Sequence, residues 1–98
     1  MYLSLRQYEV ETGRVDEILQ RVQDTFVPVI SQSPGFVSFY AVKMGEGRIA
    51  SISVFEDQAG AENSARLSAD HIRRNLADLF PNPPVVSAGE VRVYHTNR

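Results

Sequence analysis

The feature that most constrains this chain is a pair of segments that are apolar at both even and odd positions. Residues 36–42 read Phe-Val-Ser-Phe-Tyr-Ala-Val, and residues 49–55 read Ile-Ala-Ser-Ile-Ser-Val-Phe. Their aromatic and β-branched content predicts two strands, Phe36–Met44 and Arg48–Phe55, and Gly45-Glu46-Gly47 predicts the turn of a hairpin between them. Successive side chains of a strand point to opposite faces of the sheet. Both faces of this hairpin therefore need to be covered.

Hydrophobic periodicity on either side of the hairpin predicts a strand and a helix before it and a helix and a strand after it. Residues 2–10 alternate as a strand, which places Leu3 and Leu5 on one face and Ser4, Arg6 and Tyr8 on the other. A helix is predicted from Arg14, capped by Thr12 or Gly13 and kinked or restarted at Pro28, up to residues 33–35. Its apolar stripe consists of Val15, Ile18, Leu19, Val22, Phe26, Val29 and Ile30.

The second half of the chain predicts a helix followed by a strand. Asp57 is the predicted N-cap of a helix that runs to about Phe80, where a proline-rich stretch ends it. The last strand is predicted over residues 85–95, with a bulge or bend at Gly89. The apolar stripe of this second helix consists of Ala61, Ala65, Ala69, Ile72, Leu76 and Leu79.

The element order is thus strand, helix, hairpin, helix, strand over a single domain of residues 1–98. It predicts an α+β, ferredoxin-like βαββαβ fold, in which a four-stranded antiparallel sheet carries both helices on one face. Two helices cover one face only, so we expect a homodimer in which a second copy covers the other face. The alternative is a monomer with a tolerated apolar patch.

Composition narrows the possible partners and sites. The net charge is −2, the basic residues are scattered, and no apolar run is long enough to span a bilayer, so neither nucleic acid nor a membrane is an expected partner. Cysteine is absent, which excludes disulfides and thiolate chemistry and agrees with a cytoplasmic location. His71 and His95 stand far apart without carboxylates at ligand spacing, and no phosphate-binding loop occurs, so no metal or cofactor is expected.

Three short motifs resemble proteins of the antibiotic biosynthesis monooxygenase type, in the dimeric α/β-barrel superfamily. They are Gly13-Arg14-Val15-Asp16-Glu17 before the first helix, Pro34-Gly35-Phe36 before the second strand, and Ser53-Val54-Phe55-Glu56-Asp57 before the second helix. The resemblance implies sheet-to-sheet dimers, a fourth strand that reaches toward the partner, and a pocket between sheet and helices. It also implies cofactor-free oxygenation of aromatic or quinol-like substrates, haem degradation, or no catalysis. Fold membership alone settles no chemistry.

Haem degradation is the least expected of these activities. The haem-degrading relatives use an Asn on the first strand with a Trp and a His on the second helix, whereas this chain has no Trp and carries Arg6 and Gln7 in that part of the first strand. Cofactor-free oxygenation requires a base and a group that stabilises an anion. We expect His71 and Arg6 in these catalytic roles. The expected substrate-binding residues are Tyr8, Tyr40, Ser64, Ser68 and Asn75.

Each candidate has a structural alternative. Ser64, Ser68, His71 and Asn75 form a polar stripe beside the apolar face of their helix, which is typical of a pocket mouth or of a half-exposed flank. Arg6 either enters a pocket, pairs with Glu9 or Glu90 across a strand, or extends along apolar surface with its charged end in solvent. We therefore predict a protein that binds a small apolar or aromatic molecule, with monooxygenation as its candidate activity. The alternative is a non-catalytic ligand-binding or stress-related assembly domain. An open chamber lined by His71 and Arg6 favours the first function, and a filled interior favours the second.

Overall fold

The computed structural model describes residues 1–97. The strands are β1 (Tyr2–Glu9), β2 (Phe36–Lys43), β3 (Arg48–Phe55) and β4 (Val85–Glu90). The α-helices are α1 (Val15–Arg21), α2 (Val27–Ile30) and α3 (Gln58–His71). A π-helical segment, Val22–Phe26, joins α1 to α2, and another, Ile72–Leu76, continues α3.

The four strands form one antiparallel sheet in the order β2-β3-β1-β4. This arrangement confirms the predicted ferredoxin-like α+β fold, with both helical regions, residues 15–30 and 58–76, on one face of the sheet. The helices and sheet enclose two clusters of buried apolar side chains, one around Ile18 and Leu76 and the other around Ile30 and Phe55. None of the helices in residues 1–97 is both long and apolar enough to cross a membrane.

The helices cover the face of β1 that carries its polar side chains. Ser4, Arg6 and Tyr8 are only 3%, 5% and 6% exposed, whereas Leu3 and Leu5 are half-buried. The strand register places Leu5 opposite Ile52, and Ile52 opposite Tyr40. A stripe of apolar side chains therefore crosses three strands on the face that no helix covers.

The buried face of α3 differs from the predicted stripe. Ser64 is fully buried and Ser68 is 7% exposed, while Ala65 is half-buried and Ala69 is exposed. The Ser64 hydroxyl donates to the Ala61 carbonyl oxygen at 2.7 Å, which removes the cost of burying it. The small serines let α3 approach the sheet. The predicted stripe was placed too far toward Ala65 and Ala69, because it assumed that polar residues stay outside.

Among the predicted details of the helices, some are confirmed and others are wrong. Asp57 is the N-cap of α3 and accepts the Gly60 amide at 2.8 Å, and the helix restarts at Val27, just before Pro28, as predicted. Arg14 occupies the N-cap position of the first helix and makes no side-chain capping hydrogen bond, so both predicted caps, Thr12 and Gly13, were wrong. Val29 was also assigned to the wrong face, since it is 41% exposed.

The predicted ends and irregularities of the strands also required correction. β4 ends at Glu90, five residues before the predicted end, and the helical structure after α3 ends at Leu76. Gly89 pairs in regular register with Leu3, so it makes no bulge. The irregularity lies in β2 instead, at the register shift between Phe36 and Ser38. This bulge turns two aromatic side chains of β2, Phe36 and Phe39, toward the helices.

Candidate functional site

A cavity lined mainly by aromatic and apolar side chains lies between the middle of the sheet and the helices. Its walls include Tyr8 from β1, Phe39 from β2, Phe26 from the first π-helical segment, and His71 and Phe80 from the end of α3 and the turn beyond it. We call it the aromatic cavity. Its volume is about 40 Å³. Ligand pockets usually measure roughly 300–1,000 Å³, so an aromatic ligand requires side chains of the wall to move.

Tyr8 presents a neutral phenol at this cavity. Burial raises the pKa of Tyr8 above its ordinary value of 10.0, and the positive charge of Arg6 and the Ser51 hydroxyl oppose that rise. The ring packs on Phe80 with a centroid separation of 4.8 Å. Tyr8 is therefore a hydrogen-bond donor at neutral pH, and it forms part of a wall with Phe80.

The hydrogen bonds of His71 define its tautomer. The Thr25 hydroxyl donates to the Arg21 carbonyl oxygen at 2.7 Å, so Thr25 Oγ1 must accept from His71 Nε2–H at 3.0 Å. Asn75 Nδ2 donates to His71 Nδ1 at 3.3 Å and to the His71 carbonyl oxygen at 3.2 Å. The ring is therefore neutral, with its proton on Nε2. Burial lowers the pKa of His71, which agrees with this state.

Arg6 lies beyond the wall formed by Tyr8 and Phe80. It lines a second space of about 310 Å³, together with Ala69, Ile72, Arg73 and residues 80–84. We call this the proline groove, after the three prolines in that segment. Tyr8, Ile72 and Phe80 line both spaces. The two predicted catalytic residues, His71 and Arg6, thus lie on opposite sides of a shared wall.

The predicted binding residues are divided between cavity, core and surface. Ser68 lines the aromatic cavity with Tyr8 and His71. Ser64 is fully buried against its own helix, and Asn75 is exposed and contacts His71. Tyr40 is 56% exposed on the helix-free face of the sheet, away from the cavity.

The structure adds residues that the sequence did not indicate. Thr25 bonds to His71 across 46 positions of the chain, and Phe26 packs on the same imidazole with ring centroids 5.2 Å apart. Phe26 was predicted as core, which its position in the apolar stripe indicates. Nothing in the local sequence links Thr25 to His71, because that contact depends on how the two helices pack.

Comparison with protein families matches this architecture to a known group. A family model described as "Antibiotic biosynthesis monooxygenase" matches residues 1–74, which contain all of α3, His71 and three of the four strands. The chain belongs to this family. The prediction drawn from the three short motifs is thereby confirmed. A search of curated proteins gave no match.

Solved structures of similar fold include both a monooxygenase and a porphyrin-binding protein. A protein of unknown function from Nitrosomonas europaea, NE2512, superposes with a TM-score of 0.78 at 20% identity, over 99% of this chain and 94% of that one. A Streptomyces coelicolor monooxygenase from the gene ActVA-Orf6, in complex with nanaomycin D, gives 0.76 at 16% identity, over 99% and 92%.

A mutant of MhuD with two manganese protoporphyrin IX molecules bound per active site gives a TM-score of 0.77 at 19% identity, over 99% of this chain and all of that one. At such identities the likeness extends to the fold of the antibiotic biosynthesis monooxygenase family and not to a shared reaction.

Proposed function

We propose that this protein binds a planar aromatic molecule in the aromatic cavity and oxidises a phenol or quinol with molecular oxygen, without a cofactor. The observation that carries the proposal is the wall of the cavity, where Phe26, Phe39 and Phe80 line the same space as Tyr8 and His71. A mainly apolar chamber with a few fixed polar groups suits a flat phenolic ligand. Phe80, which is half-buried in the turn after the last helical segment, is the wall residue we expect to move.

The reaction balances without an external reductant. A phenol that loses its proton becomes an electron-rich phenolate, which can pass electrons to oxygen. Conversion of a phenol to a quinone replaces one ring C–H by C=O and consumes one O₂, and the second oxygen atom leaves as water. The substrate supplies all four electrons.

In this reaction Tyr8 donates a hydrogen bond to the substrate oxygen and His71 accepts its proton. The acceptor is Nδ1, because Nε2 already carries a proton that bonds to Thr25. Asn75 holds Nδ1 through a long bond of 3.3 Å, which the substrate replaces in this proposal. The positive charge of Arg6 opposes the rise in the pKa of Tyr8, and it favours an ionised ligand bound next to Tyr8 for the same reason.

The test measures oxygen uptake and quinone absorbance with a panel of polycyclic phenols and quinols. We expect turnover with at least one of them, and Tyr8→Phe and His71→Gln to reduce kcat by about 10²-fold or more. Tyr40→Phe and His95→Gln remove the same groups from residues that do not line the cavity and should leave the rate unchanged. Absence of oxygen uptake with every phenol would contradict catalysis.

A non-catalytic ligand-binding or assembly domain is the second candidate, because the aromatic cavity is nearly filled and Arg6 does not line it together with His71. Thermal shift separates the two candidates. Stabilisation by phenols without oxygen uptake would favour this second function, while no response of either kind would contradict both. We expect no Soret shift on addition of haemin, since the chain has no Trp and carries Arg6 and Gln7 in the part of β1 where the haem-degrading relatives use an Asn.

We also propose that the protein is a homodimer that pairs through the helix-free sheet face. Tyr40 and Val42 on this face are 56% and 40% exposed, beside the half-buried Leu5 and Ile52. Beyond β4, Val93 and Tyr94 are 91% and 65% exposed. Large apolar surfaces of this kind usually mark interfaces.

Sedimentation at micromolar concentration should report twice the mass of one chain. Leu5→Glu should shift the species to a monomer, because it places a charge in the middle of the paired faces. The exposed helix position Glu62, on the opposite side of the molecule, provides the control Glu62→Gln. A wild-type chain that sediments as a stable monomer would refute the dimer.

A further inference from the structure

The side chain of Arg6 is buried without a matching anion. It is 5% exposed, and its Nη2 has no hydrogen-bond partner among residues 1–97. Neither acidic residue considered from the sequence reaches it, since Glu9 is exposed and Glu90 pairs with Arg92 at 3.3 Å. Burying a cation without a counter-charge is costly, and such groups are normally paired. The fold thus carries a cost at Arg6 that its own described residues do not offset.

The proline groove beside Arg6 is positive and otherwise largely apolar. Its described lining contains a second cation, Arg73, but no carboxylate. Asp70 does not line the groove, but it pairs with Arg73 and Arg74, so the unpaired positive charge of the described lining is that of Arg6. Ala69, Ile72, Ala77 and the proline segment supply most of the remaining wall. An organic anion with an apolar body fits this combination better than a free inorganic ion.

We propose that Arg6 and the proline groove form an anion subsite that takes a carboxylate attached to the aromatic ligand. Because Tyr8, Ile72 and Phe80 line both spaces, a ligand that displaces Phe80 can place its rings in the aromatic cavity and its carboxylate at Arg6. A guanidinium binds a carboxylate through two parallel hydrogen bonds. This inference rests on the proposed binding of an aromatic ligand and not on its oxidation.

The test compares two ligands of the same shape that differ in charge. 2-Naphthoate and 2-naphthalenemethanol are titrated into the full chain at pH 7.5 by calorimetry. We expect wild type to bind the carboxylate about tenfold or more tightly than the alcohol, as one charge-assisted pair allows. Inorganic phosphate should neither bind measurably nor compete, because it lacks the apolar body.

Substitutions assign the preference to Arg6. Arg6→Gln should bring the ratio of the two affinities to about one, and Arg6→Lys should restore part of it because the charge is kept. Arg74→Gln is the control, since Arg74 is exposed on the segment Ile72–Leu76, which contributes Ile72 and Arg73 to the groove, and does not itself line the groove. It should keep the full ratio. Thermal melts of each variant establish that it is folded before titration.

The outcomes separate this inference from the proposed oxidation. Equal affinity of wild type for the two ligands, or a carboxylate preference that survives in Arg6→Gln, would overturn the subsite. Failure of both ligands to bind would overturn it as well. A carboxylate preference that Arg6→Gln abolishes supports the subsite even where no phenol consumes oxygen.

Discussion

Removal of the Ser53 hydroxyl should stabilise this protein, although Ser53 is only 1% exposed. Its Oγ has no hydrogen-bond partner among the described residues, and the register places it between Ser4 on β1 and Phe39 on β2. A buried hydroxyl without a partner costs about 1–3 kcal/mol. Ser53→Ala deletes this atom and leaves only a small void, so we expect a gain of about 1 kcal/mol, or about 4–8 °C in Tm for a domain of this size.

Ser64→Ala is the matched control, because Ser64 is also buried but donates to the Ala61 carbonyl oxygen. Loss of that bond costs roughly 1 kcal/mol, and the better helix propensity of alanine returns about half of it. Ser64→Ala should therefore destabilise by about 0.5 kcal/mol. Urea denaturation followed by circular dichroism, at one fixed protein concentration, measures both variants. A Ser53→Ala variant no more stable than wild type would refute the reasoning and indicate that Ser53 has a partner in solution.

Three further predictions concern pH and the start of α3. Burial lowers the pKa of His71 below its ordinary 6.5. Between the folded and unfolded pKa values the unfolded chain therefore binds more protons than the folded chain, and the free energy of unfolding should rise with pH through that range. His71→Gln should flatten this rise in pH-dependent urea melts and His95→Gln should not; equal slopes in all three proteins would contradict it. Gly60→Ala should destabilise the protein although alanine has the better helix propensity, because the new Cβ would lie 3.1 Å from a Phe55 ring carbon. A raised Tm would show that Phe55 and its neighbours can move to make room. Asp57→Ala should cost about 1 kcal/mol by removing the cap on the Gly60 amide, with an unchanged urea midpoint as the contrary result.

The candidate site was predictable in its residue types and less so in its arrangement. Tyr8, Ser68 and His71 were named from the sequence and meet at one cavity. Arg6 was named as well, but it lies beyond the wall that Tyr8 and Phe80 form. Tyr40 was assigned to the site by its residue type alone, and the register places it on the opposite face of the sheet. Residue type indicates possible chemistry, whereas distance depends on packing.

The sequence by itself determined the order of strands and helices, the hairpin and the sets of side chains that share a strand face. These follow from local rules, because the period of 2 or 3.6 and the residues of turns and caps act over a few positions. The tertiary structure alone decided which face of β1 the helices cover, because both faces contain residues that can be buried. It also turned Ser64 and Ser68 inward and brought Thr25 to His71. Such contacts join residues far apart in the chain, and no local pattern encodes them.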